Sequence, residues 1–302
     1  MVLNLVLVFL GIAMLVLGGD KLVEGATHIG KRFGMSDRVA GLTICAVGTS
    51  MPEVFVSVTS TIGGNSGMAV GNIMGSDMAN LLLILGVSAI IVPLNLAHRT
   101  TRVEVPMSIG AVLVFALFAN TGNSINAVEG GILVLLFLLF IANSVIAGMR
   151  EVEDDEKAGV KAAEEPDDGH SLVRDFVFIV IAIASALGVS QVLISLTIVS
   201  VGTALPELVT SSVAAFKGNA DTAVGNVMGS VITNLLLVAG APALFAPVAF
   251  NPVHNLDLAL IAIFAVCMVV FTFVGRTRTF SRRCGLIFVM FYIIYLASAI
   301  LR

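Results

Sequence analysis

The sequence predicts an all-α polytopic membrane protein with ten transmembrane helices. These form two inverted five-helix repeats, with broken helices at a central cation site and a shortened sixth helix. Three observations carry this expectation. The 302-residue chain is 58% hydrophobic and only 12% charged, against roughly 25% charged residues in an ordinary soluble domain, and its mean hydropathy is +1.04. A motif with proline and glutamate inside an apolar run occurs twice, 154 positions apart. Lysine and arginine gather in alternate connections between the apolar runs.

The first helix is expected over residues 3–17, with Asp20, Lys21 and Glu24 on its last turns. The opening Met1-Val2-Leu3-Asn4 lacks the positive region of a signal peptide, so it reads as a membrane helix and not a cleaved leader. Lys31, Arg32 and Arg38 mark a charged loop. A broken helix over 39–61 turns at Gly63-Gly64-Asn65-Ser66-Gly67 into a third helix, 68–92, which stops at Pro93. His98, Arg99 and Arg102 form the next loop, and helices over 105–119 and 125–147 complete a first repeat, residues 1–149. Residues 150–171 form an acidic linker with no apolar stripe. It holds nine of the chain's twenty acids, Glu151 to Asp168, and such a block of like charge reads as solvated chain. The net charge of −4 belongs to that linker and carries no nucleic-acid signal.

The second repeat, residues 172–302, holds apolar runs over 176–187, 192–215, 222–245, 256–274 and 285–301. The first of these would be about 18 Å long as a helix, against a hydrocarbon layer of about 30 Å. Adding residues 170–175 brings it to about 27 Å, a marginal span.

The basic residues set an orientation. Lys31/Arg32/Arg38, Arg99/Arg102, Arg150/Lys157/Lys161/Arg174, Lys217 and Arg276/Arg278/Arg282/Arg283 fall in alternate connections. Both termini are therefore expected outside and the linker in the cytoplasm, for a multi-pass protein of the cell (inner or plasma) membrane. An odd number of helices per repeat makes the repeats inverted.

The first copy of the motif is Gly48-Thr49-Ser50-Met51-Pro52-Glu53. Pro52 has no N–H, which releases the Gly48 carbonyl from the helix ladder. That carbonyl, the hydroxyls of Thr49 and Ser50 and the Glu53 carboxylate then lie within about one turn. Oxygen donors of these kinds suit a hard cation such as Ca²⁺. A proline kink with a snorkelling glutamate explains a single copy equally well. The second copy, Gly202-Thr203-Ala204-Leu205-Pro206-Glu207, tips the balance, because duplicated broken segments mark secondary transporters with a site at the repeat interface.

A second block repeats at the same offset. Gly71-Asn72-Ile73-Met74-Gly75-Ser76 with Asn80 matches Gly225-Asn226-Val227-Met228-Gly229-Ser230 with Asn234. Asn72, Ser76 and Asn80 share one helix face, as do Asn226, Ser230 and Asn234, while the glycines allow close helix approach. A polar packing seam is the plain alternative; beside the Pro-Glu helices, the stripe reads as the far wall of a cation site. Asp77, whose counterpart is Val231, is an additional candidate ligand or a group in the water path.

Other classes have little support. Cys45, Cys267 and Cys284 form no disulfide framework or metal cluster. His28, His98, His170 and His254 lie near expected helix ends or loops, so no Ser-His pair points to an intramembrane enzyme. No cofactor is called for; the expected partners are the lipid bilayer and inorganic cations, with no nucleic acid, and the protein is expected to be monomeric.

The paired motifs resemble the two alpha-repeats of the calcium/cation antiporter superfamily, of the bacterial and archaeal sodium/calcium exchanger type, over residues 43–83 and 197–237. The resemblance implies secondary-active exchange of Ca²⁺ for Na⁺ by alternating access. It implies Glu53 and Glu207 as the Ca²⁺ carboxylates, with oxygens from Thr49, Ser50, Thr203, Ser76 and Ser230 and from the backbones of Ala46 and Ser200. Asn80 and Asn234 would close the middle of the site. Three departures stand out: Ala204 replaces a common Ser, Asn234 replaces an Asp of some microbial members, and much of the sixth, gating helix before Ile183 is missing. A Ca²⁺/H⁺ or other divalent cation/H⁺ antiporter is the alternative within the superfamily, although that branch usually carries Gly-Asn-Ala-x-Glu. A transport-inactive scaffold or cation sensor is the alternative outside it, because of the shortened sixth helix.

Overall fold

The computed structural model describes residues 2–96, 99–157, 203–273 and 279–301. Their helices are α1 (Val2–Arg32), α2 (Asp37–Ile62), α3 (Ser66–Ile91), α4 (Thr100–Asn120), α5 (Ala127–Lys157), α6 (Leu205–Phe216), α7 (Ala220–Ala243), α8 (Asn255–Phe273) and α9 (Arg282–Leu301). Among the described residues, seven helical stretches are long and apolar enough to cross a membrane. The protein is thus a polytopic helical membrane protein. The expected sixth helix, near 172–187, lies outside the described residues.

The helices sort by burial. The apolar stretch of α7 is 94% buried and that of α3 78%, whereas those of α4, α5, α8 and α9 are between 17% and 39% buried. The α2, α3 and α7 helices therefore form the protein core, and the others present Leu113, Leu117, Leu138, Ile293 and Ile294 to the surroundings, as lipid-facing helices do. Small residues let the core helices meet. A methyl on Gly225 would run into the Arg38 carbonyl and lie 2.9 Å from the Leu42 nitrogen; one on Gly229 would run into the Leu42 carbonyl and lie 2.6 Å from Ala46 Cβ. The α7 backbone thus rests directly on α2.

Both Pro-Glu motifs break their helices in the same way. Ser50 sits at φ −81°, ψ 3° before the helical segment Met51–Ile62, and Ala204 at φ −81°, ψ 0° before α6. Gly64 and Gly218, again 154 apart, both adopt a left-handed φ, +80° and +78°, which glycine adopts without steric cost. Wide π-helical turns follow at Ala79–Ile84 in α3 and Asn234–Val238 in α7.

Among the described residues, four two-residue strands tie the ends of the bundle. β1 (Leu94–Asn95), after α3, pairs antiparallel with β4 (Thr279–Phe280), between α8 and α9. β2 (Ser124–Ile125), between α4 and α5, pairs with β3 (Val248–Ala249), after α7. The Ala249 N–H donates to Ser66 Oγ at 3.1 Å, and the Phe250 N–H to the Asn123 carbonyl at 2.8 Å. These bonds place the α2–α3 turn beside the exit of α7. At the start of α2, the Asn219 amide in the α6–α7 turn donates to Asp37 at 3.0 Å.

Three expectations need correction. Arg38 is not a loop cation: it is 4% exposed and forms a buried ion pair with Glu104 of α4, which a buried guanidinium needs. Arg102 lies within a π-helical turn, Thr100–Glu104, rather than a loop. The boundary at 149/150 is crossed by α5, which runs on to Lys157. Glutamate and lysine are good helix formers, so an existing helix extends through them without an apolar stripe.

Candidate cation-binding site

The breaks bring two carboxylates to the centre of the core. Glu53 lies in the first turn of Met51–Ile62 and Glu207 in the first turn of α6, where the unpaired N–H groups of a helix start favour negative charge. Both are fully buried, and Ser50, three residues before Glu53, bonds to Glu207. Two like charges so placed are costly without a cation between them.

The hydroxyls reach across between the repeats. Ser50 Oγ donates to Glu207 Oε1 at 3.2 Å. On the other side Ser76 Oγ meets Glu53 Oε1 at 3.4 Å and Thr203 Oγ1 at 3.2 Å. Thr203 Oγ1 donates to Asn72 Oδ1 at 2.9 Å, and its counterpart Thr49 approaches Asn226 Oδ1 at 3.4 Å. The two asparagines are anchored alike: Asn72 Nδ2 donates to Ser57 Oγ at 3.3 Å, and Asn226 Nδ2 to Ser211 Oγ at 2.9 Å. Each of these residues is at most 2% exposed.

Several buried oxygens have no protein partner among the described residues: Oε2 of Glu53 and of Glu207, Oδ2 of Asp77, Oδ1 of Asn80 and of Asn234, and Oγ of Ser230. A buried polar atom left unpaired in a native protein calls for an explanation. Oxygens of carboxylate, amide and hydroxyl type are what a hard cation takes as ligands. Residues of both repeats thus supply one polar, acidic centre in an otherwise apolar core.

Of the residues expected at the site, Glu53, Ser76 and Thr203 share one hydrogen-bonded group, Ser50 bonds to Glu207, Thr49 approaches Asn226, and Asn234 bonds to Asp77. Asn80 and Ser230 are fully buried with unpartnered side-chain atoms. The Ala46 carbonyl accepts from the Ser50 N–H at 3.0 Å and from Thr49 Oγ1 at 3.3 Å, which leaves its second lone pair engaged by a hydroxyl. Ser200 lies outside the described residues. Sequence reasoning missed the anchoring by Ser57 and Ser211; both sit in the repeated block, and that repetition was the available signal.

The family profile described as sodium/calcium exchanger protein matches residues 3–146 and 172–301. The chain belongs to that family. A putative antiporter of Alkalimonas amylolytica, CaxA, is 32% identical to this exchanger-family chain, with 96% of each chain covered. The sodium/calcium exchanger MaX1 of Methanosarcina acetivorans is 29% identical, with 97% of each covered. A solved structure of the sodium-calcium exchanger NCX_Mj, soaked with Na⁺ and Ca²⁺, superposes with a TM-score of 0.81 at 26% identity and covers 99% of both chains. This exchanger-family protein is an integral, multi-pass membrane protein of a family of cation antiporters, and the two relatives above are named as a putative antiporter and an exchanger.

Proposed function

We propose that this protein exchanges Ca²⁺ for Na⁺ across the cell membrane by alternating access. The observation that carries the reading is the pair of fully buried glutamates, one from each repeat, with Ser50 of the first repeat donating to Glu207 of the second. Two carboxylates neutralise one Ca²⁺ or two Na⁺, so the ions compete for the same oxygens. Glu53 and Glu207 are the metal carboxylates; Thr49, Ser50, Thr203, Ser76, Ser230, Asn80, Asn234 and the backbone of Ser200 supply neutral oxygens, and the Ala46 carbonyl joins them when Thr49 Oγ1 turns from it to the ion. The same charge accounts for coupling. A site carrying two bare carboxylates pays several kcal/mol per ion to be shut away from water, so it crosses from one side to the other only with cations aboard.

Inversion of the repeats is supported by the two ends of the bundle. The α2–α3 turn is bonded near the exit of α7, whereas the equivalent α6–α7 turn is bonded to the start of α2. Equivalent turns at opposite ends are what two inverted repeats, and a ten-helix chain, would give. In this reading the termini face outside, residues 158–171 continue the linker into the cytoplasm, and the protein works as a monomer.

The test is ⁴⁵Ca²⁺ uptake by reconstituted vesicles under imposed Na⁺ or H⁺ gradients. Uptake driven by an outward Na⁺ gradient, and inhibited competitively by Na⁺ on the Ca²⁺ side, is expected. Uptake that follows only the pH gradient would replace this reading with Ca²⁺/H⁺ exchange, and no gradient-driven uptake would favour a scaffold or sensor.

A further inference from the structure

Asp77 breaks the symmetry of the repeats, since its counterpart is Val231. It is fully buried in the middle of α3, where a carboxylate without a function is costly. Its Oδ1 accepts from the Asn234 amide of α7 at 2.9 Å, which turns Asn234 Oδ1 away from that bond. Asp77 Oδ2 and the side-chain oxygens of Asn80 and Asn234 have no protein partner among the described residues. Ser76, the residue before Asp77, reaches Glu53 Oε1 at 3.4 Å, so Asp77 lies beside the glutamate pair. Asp77 thus offers an unused carboxylate oxygen at the edge of the glutamate pair, on the helix that also carries Ser76 and Asn80.

From this arrangement we propose that Asp77 is a ligand for a monovalent cation, bound beside the Glu53–Glu207 pair, and that Asn234 is the residue that positions it. This rests on the exchanger reading above and adds to it a residue that decides how many Na⁺ ions oppose each Ca²⁺. The chemistry favours a monovalent ion. One carboxylate with two neutral amide carbonyls balances a single positive charge, whereas a divalent ion is balanced by the two glutamates. A hard alkali cation takes such oxygens, and the amide bond from Asn234 holds the carboxylate in one orientation, as an outer partner does for a metal ligand. Val231 cannot perform this role in the second repeat, so the extra position exists once.

Asp77→Asn tests the charge with the packing preserved, because an asparagine at 77 can still accept from Asn234. In detergent-solubilised full-length protein, ⁴⁵Ca²⁺ binding by the variant is expected to weaken far less than in Glu53→Gln. Its Na⁺ affinity, read from displacement of ⁴⁵Ca²⁺, should fall by about 10- to 100-fold, the range seen when support of a metal site is lost, with a shallower Na⁺ dependence. The double variant Asp77→Asn/Asn234→Asp moves the carboxylate across the same hydrogen bond and should restore the Na⁺ dependence. If Asp77→Asn displaces with Na⁺ as the parent does, the role is overturned. Loss of Ca²⁺ binding as severe as that of Glu53→Gln would overturn it too, by making Asp77 a ligand of the divalent ion. Should the single variant fail to fold, a double variant that folds decides: restored Na⁺ dependence supports the assignment and a flat one refutes it. If instead Glu53→Gln and Glu207→Gln leave Ca²⁺ binding intact, the exchanger reading itself has failed, whatever Asp77 does.

Discussion

Replacing Glu53 by Gln should move binding and stability in opposite directions. Glu53 is fully buried, with Oε1 approached by Ser76 and Oε2 without a protein partner. Glutamine keeps the size and one acceptor for Ser76 but removes one of the two charges that face the cation. A divalent ion and a carboxylate at about 2.4 Å attract by about 14 kcal/mol at an effective dielectric of 20. Most of that is offset by stripping water from both partners, and breaking a buried charge pair costs about 3–5 kcal/mol in practice. Ca²⁺ should therefore bind about 10²- to 10⁴-fold more weakly. Without Ca²⁺ the sign reverses, because the variant no longer buries two like charges side by side, and its melting temperature should rise by about 2–4 °C for each kcal/mol recovered.

Thermal unfolding in detergent, with and without Ca²⁺, reads both effects. For the parent, Ca²⁺ at about 100 times its Kd adds about 2.7 kcal/mol to stability, and that increment should vanish in Glu53→Gln and in Glu207→Gln. A variant that melts lower than the parent in the absence of Ca²⁺, yet keeps the full Ca²⁺-induced shift, would show the glutamate to be structural and would refute the argument.

Ala204→Ser restores the hydroxyl whose equivalent, Ser50, donates to Glu207; worth about 1 kcal/mol, it should tighten Na⁺ competition by about 2- to 10-fold in ⁴⁵Ca²⁺ displacement. Glu129→Gln should be nearly silent in uptake and melting, because Glu129 accepts from the Asn126 N–H at 2.9 Å in a helix-capping arrangement that glutamine also makes. Gly229→Ala should cost about 1–3 kcal/mol or more in thermal unfolding, since the methyl meets the backbone of α2 rather than a side chain that can yield. In a background lacking Cys45, Cys267 and Cys284, cysteines at Gly64 and Asn123 should react with an impermeant thiol reagent from outside, and one at Ala158 should be protected in intact cells.

The broken helices were legible because proline acts locally. Pro52 and Pro206 lack the N–H that a helix needs, and the breaks fall beside them. The burial of Glu53 and Glu207 followed from their place within apolar runs, and the 154-residue offset exposed the two-repeat plan. What stayed hidden depends on long-range pairing. Arg38 and Glu104 are 66 residues apart, and nothing near Arg38 distinguishes it from Lys31 and Arg32, which end α1. The short strands carry no pattern at two residues each. The π-helical turns at Ala79–Ile84 and Asn234–Val238 are likewise silent, because an apolar run such as Asn-Leu-Leu-Leu suits an α-helix equally well. The cross-repeat donor to Glu207, Ser50, could not be assigned from the sequence, which shows which residues are repeated but not which repeat each will face.

The repeats agree in the anchors of the polar centre and differ at oxygens proposed to meet the cation. Asn72 on Ser57 and Asn226 on Ser211 are the same bond at the same offset, as are Thr203 with Asn72 and Thr49 with Asn226. These matched anchors hold the two Pro-Glu breaks in like conformations, and under the proposed alternating access two like halves would give two access states of similar energy. A difference in the anchors would therefore favour one state over the other. The ligands are under no such constraint, since a cation at the centre meets both halves in either state. The differences fall there: Ser50 has Ala204 as its counterpart, and Asp77 has Val231. Selectivity between Na⁺ and Ca²⁺ should accordingly respond to positions 204 and 77, while changes at Ser57 or Ser211 should shift the balance of access and leave the order of ion affinities as it is. Accessibility of a single engineered cysteine at the site to a membrane-impermeant reagent, measured beside ion displacement, separates the two; a Ser57→Ala variant that reversed the ion preference without altering access would undo this division.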